Sequence, residues 1–190
     1  MPLKVACYIY HGLLQTYSIL PVLFQSPDWM ALDVHTTSGL FDSNHHVIRL
    51  YKGYSTNGTS SYARTVTPGR MFQDRDFACL VAGDFNVHNT LSDPLREYSA
   101  CEVAISTPYF ERAADLGISL LNTAGVFTRF PFVAEDRPAV LELSFANSAL
   151  APFFSSWSTS LPSTGSNHVP IIISLSAPLL RPTPRSPNWN

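Results

Sequence analysis

The run Leu80-Val81-Ala82-Gly83-Asp84-Phe85-Asn86-Val87-His88 constrains this chain more than any other stretch. A short apolar segment that stops on a glycine reads as a buried strand, so Asp84 and Asn86 should emerge together at its carboxyl end. Open α/β sheets hold their ligands along that edge. Strand alternation would place Asp84 and Asn86 on one face and turn Phe85 into the core. A carboxylate beside an amide suits hydrated Mg²⁺ and a phosphate oxygen. Magnesium is held through one or two carboxylates plus waters and phosphates, and an uncharged amide donates to a phosphate without adding repulsion.

Three further segments can converge on the same edge. Val140-Leu141-Glu142-Leu143-Ser144-Phe145-Ala146 alternates as a strand and projects Glu142 and Ser144 to one face, offering a second carboxylate. Gly165-Ser166-Asn167-His168-Val169-Pro170 leads into the apolar Ile171-Ile172-Ile173-Ser174-Leu175, so His168 sits in a loop just before a strand, where it could act as a general base. Upstream, a strand ending near Tyr54 turns through Ser55-Thr56-Asn57-Gly58 and offers a phenol and an amide.

These four segments, in this order, resemble the endonuclease/exonuclease/phosphatase family, and most of all its branch found in non-LTR retrotransposon reverse transcriptase proteins. The central signature of that branch is similar to Gly83-Asp84-Phe85-Asn86 followed by His88. Two later signatures resemble Glu142-Leu143-Ser144-Phe145-Ala146 and Ser166-Asn167-His168-Val169-Pro170, and the phrases Leu120-Leu121-Asn122-Thr123 and Thr128-Arg129-Phe130 are similar as well. The resemblance runs from near Val5 to about Leu175. It implies a two-sheet α/β sandwich flanked by helices, of the deoxyribonuclease I type, and Mg²⁺- or Mn²⁺-dependent hydrolysis of DNA phosphodiesters. It also implies catalytic roles for His168, Asp84, Asn86, Tyr54 and Asn167, and substrate contacts from Asn57, His88 and Thr128. The metal would sit on Asp84 and Glu142.

Three departures from the family pattern bear on activity. The family carries an Asn and a metal-binding Glu on two amino-terminal strands, whereas this chain begins at what reads as the following strand and has no Glu before Glu97. The expected sandwich therefore lacks its first strands, and an unpaired sheet edge would favour self-association. Asn167 stands where the resemblance implies an Asp that pairs with the catalytic His. In serine proteases a comparable Asp to Asn change lowers turnover by roughly 10⁴-fold, through the wrong tautomer. Glu142 replaces an Asp and adds a methylene, about 1.5 Å, where constellations of this kind tolerate about 0.5 Å. Together these imply a retrotransposon-derived nuclease domain with impaired or absent turnover. Two alternatives stand beside it: a non-catalytic nucleic-acid-binding or assembly remnant, and a small-molecule phosphatase on the same fold.

Composition sets the remaining bounds. With 190 residues, 45% of them hydrophobic, the chain can bury one sizeable core, expected over residues 1–176. Residues 177–190 carry four prolines with little periodicity and read as a disordered tail. A net charge of -2 with only 12 Lys plus Arg supplies no basic run, so DNA enters as a partner through the resemblance rather than through charge. Three cysteines without CxxC spacing read as buried free thiols. The absence of a signal peptide or membrane span points to a nuclear or cytoplasmic location, not to secretion or a membrane. Strands are expected near 4–10, 30–35, 47–54, 78–84, 141–146 and 169–175, a helix over 109–116, and a weaker helix over 15–24 with Pro21 inside it.

Overall fold

Strand β4 (Ala78–Asp84) is apolar on both sides, and this places it in the middle of the molecule. Alternate residues feed two separate cores, as the period of two requires: Cys79 and Val81 enter one, while Ala78 and Leu80 enter the other. The same division holds in β3 (Val47–Tyr54), where Tyr51 faces the first core and Ile48 and Leu50 the second. The computed structural model describes residues 17–22, 29–36, 47–54, 77–133, 136–160 and 166–176. The strand expected near 4–10, the turn carrying Asn57 and the tail over 177–190 lie outside them.

Around β3 and β4 the larger sheet adds β1 (Tyr17–Val22), β2 (Trp29–Thr36), β5 (Ser119–Leu120) and β6 (Glu142–Ala146), in the order β1-β2-β3-β4-β6-β5. Only β3 and β4 run parallel; every other pair is antiparallel. A second, two-stranded sheet of β7 (Phe154–Thr159) and β8 (Ile171–Leu175) packs Trp157, Ile171 and Ile173 into the second core. The Trp157 indole N–H donates to Ser144 Oγ at 3.1 Å, tying the small sheet to β6. This is the expected two-layer α/β sandwich of the deoxyribonuclease I type.

The first core lies under helix α1 (Ala100–Asp115). Its start is dictated by a capping box: Glu102 N–H donates to Ser99 Oγ at 3.2 Å, and Ser99 N–H donates to the Glu102 carboxylate at 2.9 Å. The helix therefore begins well before the expected 109–116 and carries Pro108 within it. It ends at Gly117, whose φ of +68° lets its N–H turn back to Ala114 O at 2.9 Å. Tyr109, Phe110 and Ala113 face inward, and Phe85 stands edge-on to Tyr109 and to Phe145, with centroids 5.6 and 5.5 Å away. Each such ring contributes roughly 1.5–3 kcal/mol by burial alone.

Three expectations are corrected here. The helix expected over 15–24 is corrected where the residues are described: 17–22 are β1, paired along its length with β2. Tyr17, Ile19 and Val22 favour strand, and among the described strands β1 is the outermost, the position where a strand proline is tolerated. Strand β7 was not foreseen, since Phe154-Ser155-Ser156-Trp157 lacks strict alternation. Of the cysteines, Cys79 is buried and outside any disulfide, as expected, but Cys101 is exposed, and Cys7 lies outside the described residues. Among the described residues no helix is long and apolar enough to cross a membrane.

Candidate functional site

Strand register alone assembles the centre of the site. Tyr54 is the register partner of Asp84 across β3 and β4, and Asp84 is the partner of Glu142 across β4 and β6. Three chemically active residues from distant parts of the chain thus form one row across the sheet at the carboxyl end of β4. Two acids placed directly opposite each other repel, and such a pair is kept only where something offsets the charge.

His168 joins this pair. Its Nδ1 is hydrogen-bonded to Glu142 Oε1, and one donor atom from each of Asp84, Glu142 and His168 falls within 4.8 Å of the others. The loop that delivers His168 is fastened by main chain to residues 128–130. Phe130 N–H donates to Asn167 O at 2.7 Å, Val169 N–H donates to Thr128 O at 2.8 Å, and Arg129 bridges both His168 and Ala139. The other side of the same segment secures β6. Thr128 Oγ1 accepts from the N–H groups of Leu141 and Glu142, at 2.9 and 3.0 Å. Asn122 completes the clamp, donating to Glu142 O at 2.8 Å and accepting from Ser144 N–H at 2.8 Å. Glu142 is therefore held by side chains at both its backbone N–H and its backbone C=O.

Burial, followed by the neighbouring Glu142 charge, pushes the Asp84 carboxyl up to about 6 from its ordinary 3.8. The His168 imidazole and the Asn86 N–H, which donates to Asp84 Oδ1 at 3.1 Å, act in the opposite direction. The second carboxylate oxygen of Glu142 is buried and has no hydrogen-bond partner among the described residues. A buried anionic oxygen without a donor is costly, and a cation is the group that would satisfy it. Two carboxylates and an imidazole form a donor set that a divalent ion accepts.

The expected site residues divide into those brought together and those placed elsewhere. Asp84, Glu142 and His168 converge, with Asn86 beside Asp84, while Phe85 is only 2% exposed, as strand alternation requires. Asn86 reaches its place differently from the expectation: its φ of +48° is left-handed, so a turn rather than the strand pleat carries it next to Asp84. The pairing expected of Asn167 belongs to Glu142; Asn167 contributes its carbonyl to Phe130. Glu142, with its added methylene, reaches His168. Thr128 is fully buried and occupied with two backbone donors, so it positions Glu142 and presents no surface to a substrate. Asn57 lies outside the described residues, and of Tyr54 only the strand register is described. Sequence reasoning missed Asn122 as a positioning residue, although its place in a family-like phrase singled it out.

His88 does not join the acidic cluster. It is half-buried near Tyr98, and burial together with the Arg96 guanidinium holds its imidazole below the ordinary range. It lines a cavity of about 750 Å³ that adjoins the cluster through Asn86 and Leu141, with Arg96, Phe127, Arg129 and Arg137 also in its wall.

The fold is the α/β sandwich seen in endonuclease/exonuclease/phosphatase proteins, and it carries an acid–acid–imidazole cluster at its strand ends. No protein-family model and no curated protein matches the sequence. Among solved structures, the chain is similar to the endonuclease domain of TRAS1, a telomere-specific non-LTR retrotransposon, with 14% identity, 84% of this chain and 68% of that one covered, and a TM-score of 0.62. It is also similar to a 3'-5' exonuclease from Neisseria meningitidis (14% identity, 85% and 72% covered, TM-score 0.57). A third neighbour is an AP endonuclease from Leishmania major (15% identity, 82% and 56% covered, TM-score 0.60).

Proposed function

We propose that this chain hydrolyses phosphodiester bonds in DNA, as a retrotransposon-type endonuclease domain, with His168 as the general base and Asp84 and Glu142 as the acidic pair. The observation that carries this reading is the Glu142–His168 hydrogen bond beside Asp84. A carboxylate on Nδ1 accepts that proton and leaves Nε2 as the basic nitrogen, which is the tautomer a general base requires. His168 can then take a proton from an attacking water, and the Glu142 charge stabilises the imidazolium that results. Asp84 orients the same water, Asn86 donates to a phosphate oxygen, and Tyr54, from the adjoining strand end, supports the phosphate, a role the family resemblance also implies for Asn57. Asp84 and Glu142 would hold Mg²⁺ or Mn²⁺, which when bound supplies charge neutralisation for the phosphate and the leaving oxygen.

A further solved structure similar to this chain, a 3' phosphatase from Neisseria bound to a product DNA hairpin (12% identity, TM-score 0.54), supports DNA as the substrate. The two departures within the described residues also favour retained chemistry. Glu142 reaches His168 in spite of its added length, and Asn167 is not needed for the pairing. Plasmid nicking in Mg²⁺ and in Mn²⁺ tests the reading against an Asp84→Ala/His168→Ala protein prepared identically. Nicking that the double substitution abolishes supports it. Equal behaviour of two proteins with matching circular dichroism overturns it in favour of a non-catalytic DNA-binding remnant.

A further inference from the structure

The second core holds a polar pair where an apolar one would pack as well. Ser144 is fully buried and Trp157 is 5% exposed, among side chains such as Ile48, Leu121 and Leu150, yet Ser144 Oγ accepts the Trp157 indole N–H at 3.1 Å. An alanine would fill almost the same space as this serine, and replacing both partners of such a bond by apolar groups of similar shape changes stability little. Ser144 lies one pleat from Glu142 on the same face of β6, about 6.8 Å along the strand, so the contact sits beside the acid that holds His168. The segment 121–123 grips both partners. Leu121 N–H donates to Ser144 O and Ser144 N–H donates to Asn122 Oδ1, each at 2.8 Å, while Thr123 Oγ1 donates to Trp157 O at 3.3 Å.

Hydrophobic contact is non-directional, so an apolar interface alone lets the two-stranded sheet slide over the larger one. A directional bond between buried partners allows one alignment. His168 depends on that alignment, because the loop carrying it is rooted at Thr159 and Ile171, the ends of β7 and β8. The main-chain bonds to residues 128–130 hold the tip of this loop, and a displaced sheet would swing the remainder about that hold and draw the imidazole away from Glu142. We propose that Ser144 and Trp157 are positioning residues, whose hydrogen bond sets the docking of the small sheet on β6 and thereby the Glu142–His168 contact. The kinetic consequence rests on the DNA-hydrolase reading of that cluster. Constellations of this kind tolerate about 0.5 Å, and a misplacement of about 1 Å costs about 100-fold in rate.

The tautomer of His168 reads the contact without any turnover. Long-range proton–nitrogen correlation spectra of the imidazoles are recorded on the whole chain in EDTA at about pH 8, where a neutral ring shows which nitrogen carries its proton, and His168→Gln assigns the signals. Wild type should carry the proton on Nδ1, facing Glu142. The Ser144→Ala/Trp157→Phe protein replaces the bonded pair by an apolar one and should keep the native circular dichroism, yet move at least about half of that proton to Nε2. Ser144→Ala alone removes a single oxygen and should shift it likewise, which keeps the inference falsifiable if the double variant does not fold. A folded variant with the wild-type tautomer overturns the inference, as does a wild type protonated on Nε2. Nicking rates keep the two readings apart. With an active wild type, the folded variants should lose about 10–100-fold in kcat at unchanged KM, and wild-type kcat in them sinks the positioning role alone. A tautomer shift in the variants of a protein that never nicks supports the positioning role and sinks the catalytic one.

Discussion

Glu142 and His168 are 26 residues apart and joined through His168 Nδ1, and that bond decides which nitrogen of the imidazole is free to work. The carboxylate does two jobs. One oxygen holds the base, while the other is buried with no hydrogen-bond partner among the described residues, and a cation would satisfy it. Glu142→Gln keeps the volume but removes the charge and can present an amide N–H to Nδ1. Nicking should fall by roughly 10²–10⁴-fold, with the melting temperature unchanged or raised. Initial rates on supercoiled plasmid, alongside thermal melts, check this.

Asp84 gives the metal-free protein a specific pH dependence. Its carboxyl titrates near 6 when folded and 3.8 when unfolded, so the folded state binds the proton more tightly. The contribution of Asp84 to stability should therefore be greatest below about pH 4, decline as pH rises towards about 6, and level off above. The decline should amount to about 1–2 kcal/mol after solvent screening is discounted. Asp84→Asn should abolish the decline, stabilise the fold by that amount at pH 7.5, and eliminate nicking. Urea melts in EDTA at several pH values measure it.

Cation binding should report on the same repulsion without any turnover. Millimolar Mn²⁺ or Mg²⁺ should raise the melting temperature of the wild-type chain, because an ion that binds only the folded state stabilises it by mass action. The increase should vanish in Asp84→Asn and reverse on chelation. A wild-type melting temperature indifferent to both ions would contradict the assigned donor set.

Thr128 tests positioning apart from contact. Thr128→Val preserves shape but leaves the buried N–H groups of Leu141 and Glu142 without their acceptor, which should cost about 2–4 kcal/mol. Thr128→Ser should recover most of the loss. Urea midpoints compare the three proteins. If Val were as stable as Thr, the clamp on Glu142 would not be the reason Thr stands there.

Ser99 provides a remote reference. Ser99→Ala removes the capping box of α1 and should lower stability by about 1 kcal/mol with nicking unchanged. Any change in rate at full folding would show that α1 communicates with the site.

Strands β3 and β4 were legible residue for residue, and β2, β6 and β8 within two residues, because each is an apolar run bounded by turn-forming residues. Such a run makes a buried strand whatever surrounds it. Asp84 and Asn86 were legible for the same reason, as polar residues at the end of such a run. The sign of β1 was not: Tyr17 to Val22 contains Pro21, and only the pairing with β2 decides that it is extended. Helix α1 announced its start through Ser99 and Glu102, a signal that periodicity around 109–116 overshadowed.

The sequence by itself determined which side chains could do the chemistry and that they lie at strand ends, since those are local consequences of polarity and period. Only the tertiary structure decided which of them meet. Register across β4 and β6 sets Asp84 opposite Glu142, and the segment around Thr128 fastens the His168 loop to β6, so Glu142 rather than Asn167 becomes its partner. Cross-strand register and loop docking depend on contacts between residues far apart in the chain. A single sequence carries no local signal for them.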